Sequence, residues 1–579
     1  MRFTILDDRR SVVMVAALVA IAALPVLSVD SADPQQPIRV LAVAAAAGLL
    51  CIIGAPRWGR YPKLATSVAA VLVAWVLLAS FAGGLPAGVF GVHGRFQGLV
   101  SGATIVLAAA AGLTLPGRYG RVLGYAIAGF GVVFSGFVLV QAALGMDAVG
   151  FSNNRVVAGG WLAISLAVTL ASSYVATGRD RLVLPASALF IALGLGVTGT
   201  RGAWIGALAG LVVVVYVALR TRTPRTRLVL IMSLVSVLAI IAGVTLFGVA
   251  ESSAKLDPRA LSSGSAASRW QIWRGAAAMT AANPVIGVGT GRFIYEFPAF
   301  QPLEHAAAEA LDTRPDTAHS GPLHLAAEAG VPAALAGLVL AGLAVVGGAS
   351  GVRRRDAAAL IALAGFAAYL GQSLFGVAAV EVDALGWLLG GLAVSRAGST
   401  SEETPARSPQ AFRILAGVVA LGVVVACVWY LRADNDFADS SRALAAGDTR
   451  TAARAAAAAV VGNPLVDVHR VAQADAVLYE PVPAVRAVEL PDAQAAVARG
   501  LEMEPDSYDL MLARARLIAT ADSSPDEIAD AYLMAVKRYP LGVEVRVAAS
   551  NALRDAGRTD EAAAIDAALA ALESAREAR

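Results

Sequence analysis

The sequence predicts an all-α protein, a polytopic bundle of membrane-crossing helices followed by a helical domain outside the membrane. Three observations carry this. Of 579 residues, 57% are hydrophobic and 15% charged, and the mean hydropathy is +0.67, far above that of a soluble domain of this length. The apolar residues gather into thirteen runs, most close to the roughly 20 residues that a spanning helix needs. Basic residues cluster in alternate gaps between those runs, the pattern that sets the orientation of a multi-pass chain. A net charge of +3 is too near neutral to imply nucleic acid. Cys51 and Cys427 lie in apolar runs at opposite ends of the membrane part, so neither a disulfide framework nor a cysteine metal site is expected.

The runs lie near 11–29, 38–54, 64–82, 98–115, 122–144, 156–176, 182–199, 202–219, 228–248, 331–349, 357–375, 382–396 and 412–431. They divide the chain into nine spans over 1–248, a large loop over 249–330, four spans over 331–431 and a tail over 432–579. Arg2, Arg9 and Arg10 precede the first run. Alternate gaps then hold Arg57, Arg60 and Lys63; Arg118 and Arg121; Arg179 and Arg181; Arg220 to Arg227; Arg353 to Arg355; and Arg396, Arg407 and Arg413. Those gaps are expected in the cytoplasm. An odd number of spans then puts the large loop and the tail outside. The other short gaps hold one arginine each or none (Arg39, Arg95, Arg155, Arg201), and each arginine there needs a separate reason.

The tail is alanine-rich, charged throughout and helical in period. Pro464, Pro505 and Pro540 close three similar helix ends at intervals of 41 and 35 residues. Helix pairs near a 34-residue period with a terminal proline resemble tetratricopeptide repeats, which bury their apolar faces by stacking. An irregular helical bundle is the other reading of the same pattern.

Chemistry is expected in the outer loops. "VTGTRGAWIGALAG" sets Arg201 between two apolar runs with no carboxylate nearby. It could snorkel to the interface, or serve as an anion receptor, since a guanidinium fork matches phosphate oxygens and stays charged. "SRWQIWRGAAAMTAANPVIGVGTGRF" reads as an interfacial amphipathic helix, with Ser268 as N-cap, Trp270 and Trp273 on neighbouring positions of one face, Arg269 and Arg274 as its polar face or as ligand contacts, and Asn283-Pro284 as its stop. The following "GVGTG" lacks a preceding strand and reads as turn glycines. "TAHSGPLHLAAEAGVPAAL" places His319 and His324 just before a span. Their spacing of five does not suit a helical metal pair, and each taken alone could be a surface or capping residue.

In order along the chain, these segments resemble the O-antigen ligase family, with its related O-antigen polymerases and O-oligosaccharyltransferases. The resemblance rests on "GTRGAW", "SRWQIW", "NPVIGVGTGRF" and "AHSGPLHLAAEAGVPAAL". Upstream, "GVHGRFQGLVSG" around Arg95 and "GFSNNRVVAGGWLAISL" around Asn153 and Asn154 look like that family's earlier outer segments. It covers roughly residues 10 to 400. Thr200 stands where relatives commonly have serine, and Ser320 where they have asparagine. Only some relatives carry such a tail.

The resemblance implies a GT-C-like membrane glycosyltransferase of the bacterial plasma membrane. It would move a glycan from a polyprenyl diphosphate carrier to a hydroxyl of a glycan, lipid or protein acceptor on the outer face, with inversion and without a required metal, nucleotide sugar or other cofactor. His319 would be the general base, and Arg201 and Arg269 the diphosphate clamp. Arg95, Arg274 and Arg292 are further candidates for phosphate or glycan contact, Asn153 and Asn154 for lining the site. His324 is expected to be structural, and the tail to be open to a protein partner. A polymerase using the same donor is the alternative. A transporter is the alternative from another class, against which the absence of internal symmetry speaks.

Overall fold

The computed structural model describes residues 9–57, 62–223, 225–247, 265–309, 312–398 and 409–577. Arg2, Arg60, Arg407 and residues 249–264 of the large loop lie outside the described residues. Among the described residues the chain is all-α, and each of the thirteen apolar runs falls on a helix. Nine of these helices are long and apolar enough to cross a membrane, from Gln36–Ile53 to Gln410–Ala445. Shorter helices (Arg9–Ala22, Leu99–Thr114, Ala357–Ser373 and Val380–Ser395) take up the other four runs. The first run stops short of its expected end. Its helix gives way at Ala23 to a tight turn over Leu24–Val26, where Pro25 cannot continue an α-helix.

The helix Arg155–Val175 sits at the centre, with every residue from Val157 to Tyr174 buried. Helices Gly117–Ala143, Asp180–Val197, Arg201–Thr221 and Ala357–Ser373 surround it. An all-round apolar helix has no polar face to show, so its place is the middle. Between membrane helices the packing gain comes from close approach, which small residues permit. Gly202, Gly206 and Gly210 stand one turn apart on Arg201–Thr221. A Cβ on Gly206 would lie 2.6 Å from the Ala368 carbonyl oxygen, and one on Gly210 2.9 Å from that of Ala364. The row ends at Gly202, where a Cβ would lie 2.9 Å from Cβ of Phe375. The glycine row therefore fixes where Arg201 emerges from the bundle.

The helix Gly321–Arg353 is broken at Gly330, with φ 82° and ψ 168°, two residues before Pro332. The expected span beginning near Val331 is its second half; its first half, with His324, stands beyond the break. Pro332 has no N–H to give the Glu328 carbonyl, and the Gly289 N–H supplies that bond at 2.9 Å. Val288 N–H donates to the Ala327 carbonyl at 3.0 Å, and Val331 N–H to that of Pro284 at 2.9 Å. Gly287, Gly289 and Gly291 all have positive φ (74°, 105° and 72°), so "GVGTG" is a turn laid along the helix break.

The two ends of the bundle differ. At one end Arg57 N–H bonds the Leu113 carbonyl, Arg225 the Tyr174 carbonyl, and Arg396 pairs with Asp356, all in the basic gaps. At the other, the remaining gaps close on one another. Asp33 and His93 both bond Asp434, Arg39 reaches the Phe151 carbonyl, and Gln97 that of Ala378. The helix Gln410–Ala445 runs unbroken for 36 residues from the bundle into the tail. There the helices pack in series from Thr449–Gly462 to Thr559–Glu577, forming a linear array with small apolar cores between neighbours. Pro464, Pro505 and Pro540 each stand two residues past the ends of Thr449–Gly462, Pro483–Met503 and Pro525–Arg538. The array touches the large loop directly, through Arg292 with Glu504 and Asp506 and through Arg314 with Asp509.

Candidate functional site

Three helices meet around Ser373 and Phe375, at the end of the bundle away from the basic gaps. Arg201 is the first residue of Arg201–Thr221, after Thr200 at its N-cap. Thr200 is buried and shares a hydrogen bond of 2.9 Å with Thr198. On the helix Ser265–Ala282, Trp273 packs on Phe375 with ring centroids 5.8 Å apart, and Arg269 lies one turn before it on the same face. The adjoining face, with Ile272, Ala276 and Met279, is buried against Phe293 and Phe297. Trp270 is exposed, so the two tryptophans part: one belongs to the surface, the other to the site. The described helix begins at Ser265, so Ser268 lies inside it and is not its N-cap. The third helix starts at Gly321, where a Cβ would touch the Ser373 carbonyl at 3.4 Å, two residues after His319.

His319 is half-buried, in the left-handed region at φ 50°, and its N–H donates to Thr317 Oγ1 at 3.2 Å. That conformation is uncommon for a residue with a Cβ and is held by the structure around it. Its Nδ1 is buried without a hydrogen-bond partner among the described residues. Burial first, and then the Arg269 charge, push the His319 imidazole down to about 4; Asp316 opposes and Arg95 adds to the effect. The ring is therefore neutral across the physiological range. Burial, and then the neighbouring Arg201, hold the Arg269 guanidinium below its ordinary value. Among the described residues Arg269 has no ion pair with a carboxylate. Neighbouring like charges repel, and an anion between them reverses that repulsion.

The other candidates separate. Arg95 pairs with Asp316, beside His319. Arg274 is exposed, 3.8 Å from Glu304 and 3.0 Å from Gln271, on the far side of its helix. Arg292 is buried and held by Glu504 at 2.5 Å, Asp506 at 2.7 Å and Glu296 at 3.2 Å, which raise it above its ordinary value against the opposing effect of burial. It is a joint between loop and tail, with its donors committed to carboxylates. Asn154 caps Arg155–Val175 by accepting from Val156 and Val157 N–H at 2.8 and 3.4 Å, while Asn153 is exposed with φ 49°. His324 is buried, 5.1 Å from the Phe293 ring and 3.5 Å from Glu328. Arg39 is fully buried against Glu381, and Arg155 pairs with Asp147. The outer arginines thus have their separate reasons. Asp316, Thr317 and Phe375 were not singled out by sequence reasoning. They have no motif, and their partners lie on other elements.

Residues 186–339 match the family model described as O-antigen ligase, a stretch that contains Arg201, Arg269 and His319 and ends before the tail. No curated protein matches the chain.

Proposed function

We propose, from the O-antigen ligase match over residues 186–339, that this chain transfers a glycan from a polyprenyl diphosphate carrier to an acceptor hydroxyl at the outer membrane face. The match supports the O-antigen ligase superfamily of membrane glycan-transferring enzymes. The observation that carries the finer reading is Arg269 lying between another guanidinium, Arg201, and the neutral imidazole of His319, at the end of the bundle away from the basic gaps. That end is extracytoplasmic, and the N-terminus cytoplasmic, if the basic gaps face the cytoplasm.

In the proposed step the acceptor oxygen attacks the anomeric carbon while the bond from that carbon to the diphosphate oxygen breaks. The electron pair leaves on the diphosphate, where Arg201 and Arg269 meet the growing charge without protonating it. The acceptor proton passes to the His319 imidazole and from there to water. A single displacement inverts the anomeric carbon. The bound diphosphate also offsets the charge of Arg269 and Arg95 on His319, so the imidazole becomes a better base when the donor is present. Arg95 completes the cationic rim beside Asp316.

The test uses purified protein with a lipid-linked glycan donor and a separate hydroxyl acceptor. New glycosidic product that disappears in His319→Ala and in Arg269→Gln supports the reading; undiminished product in both ends it. A donor supplied alone separates the polymerase alternative, which would lengthen the lipid-linked chain.

A further inference from the structure

The loop 312–320 that carries His319 has no regular structure of its own, and its first residues are bonded to the tail. Asp312, in the left-handed region at φ 59°, accepts from Val543 N–H at 2.6 Å and Glu544 N–H at 3.0 Å. These are the first N–H groups of the helix Val543–Asp555, whose N-cap is Gly542, a residue with no side chain to cap them. The cap comes instead from a segment more than two hundred residues earlier. The Thr313 carbonyl accepts from the Tyr539 hydroxyl at 3.4 Å. Arg314 pairs with Asp509 at 2.7 Å, its guanidinium 4.7 Å over the Tyr508 ring. Two residues on, Asp316 holds Arg95, and three further His319 takes its left-handed backbone. The same turn of the array, through Glu504 and Asp506, grips Arg292 on the other flank of the site.

We propose that the turns of the C-terminal array are the frame that holds the His319 loop in register, with Asp509 and Arg314 as positioning residues for the proton transfer. The inference rests on the functional reading above and deepens it. A non-glycine residue in the left-handed region persists only where its surroundings over-determine it. The residues between Arg314 and His319 include no helix to store that order, so the order is imported from the array. Removing Asp509 leaves Arg314 without its carboxylate and frees the loop, while the helices that carry Arg201 and Arg269 keep their packing.

The experiment compares full-length protein with Asp509→Ala and Asp509→Glu, reading amide hydrogen exchange over 312–320 and steady-state transfer from a lipid-linked glycan donor. In Asp509→Ala, exchange over 312–320 is expected to rise about tenfold and kcat to fall about tenfold, with the donor KM within twofold; Asp509→Glu restores both. Unchanged exchange over 312–320 overturns the proposal, as does unchanged kcat in an active enzyme. A wild-type chain with no transfer at all ends the functional reading instead. Where Asp509→Ala loses protection throughout 449–577, Arg314→Gln breaks the same contact from the loop side and is read in the same way.

Discussion

Arg269 and Arg292 lie on the same large loop, and their surroundings are opposite. Arg292 is enclosed by Glu504, Asp506 and Glu296, which raise it. Arg269 faces Arg201 and His319, and burial and a like charge lower it. A guanidinium surrounded by carboxylates has its charge and its fork satisfied by the protein, and it contributes to holding two segments together. A guanidinium buried beside another carries a like-charge repulsion that an anionic ligand relieves. The contrast separates a joint from a site, although both residues are arginines in the same loop.

Substitutions should divide along that line. The largest effect is expected at the proton acceptor beside Arg269: His319→Ala should lower transfer by about 10²–10⁴-fold and leave the thermal midpoint unchanged. Arg292→Gln should do the reverse in kind, costing about 3–5 kcal/mol of stability because Glu504 is left buried without its cation. Denaturant unfolding read on the tail would show it. Arg201→Gln and Arg269→Gln should each lower kcat by about 10²–10³-fold, as loss of one electrostatic donor does, and for Arg269→Gln stability should equal or exceed that of the parent, because a like-charge repulsion is removed. A loss of stability there as large as at Arg292 would erase the distinction.

A titration sharpens the comparison further. With His319 pushed down to about 4, kcat/KM should lose activity on the acid side only near pH 4, because protonation removes the base. Arg269→Gln removes a like charge, so the imidazole rises and the acid limb moves toward the ordinary histidine value; Asp316→Asn moves it the other way. An acid limb that stays put in Arg269→Gln would show that the two side chains do not share a field. The smallest effect is expected at Asn154→Ala, about 1 kcal/mol of stability from the lost helix cap with transfer retained, since this residue belongs to the scaffold.

Much of this was legible in the chain. The thirteen apolar runs became helices because hydropathy is a local property and lipid leaves the backbone of a spanning segment no partners but its own. The turn character of Gly287, Gly289 and Gly291 and the stop after Ala282 were equally local. Asn154 carried an N-cap signature before Arg155, yet its place among conspicuous outer segments made it a candidate for the site. Arg292 could not be read at all, because its partners Glu504 and Asp506 stand 212 and 214 residues away. The same is true of Arg39 with Glu381 and of Arg95 with Asp316, which are 342 and 221 residues apart.

The sequence by itself determined the helices, the gaps between them, the end of the bundle to which each gap belongs, and the residue types that could bind phosphate or accept a proton. These follow from composition and short-range period, which need no knowledge of neighbours. Only the tertiary structure decided which arginines are neutralised and which are not. It also decided that the tail caps and clamps the loop carrying His319. The reason is physical: an ion pair or a cap depends on a distance of about 3 Å between groups, and sequence separation says nothing about that distance.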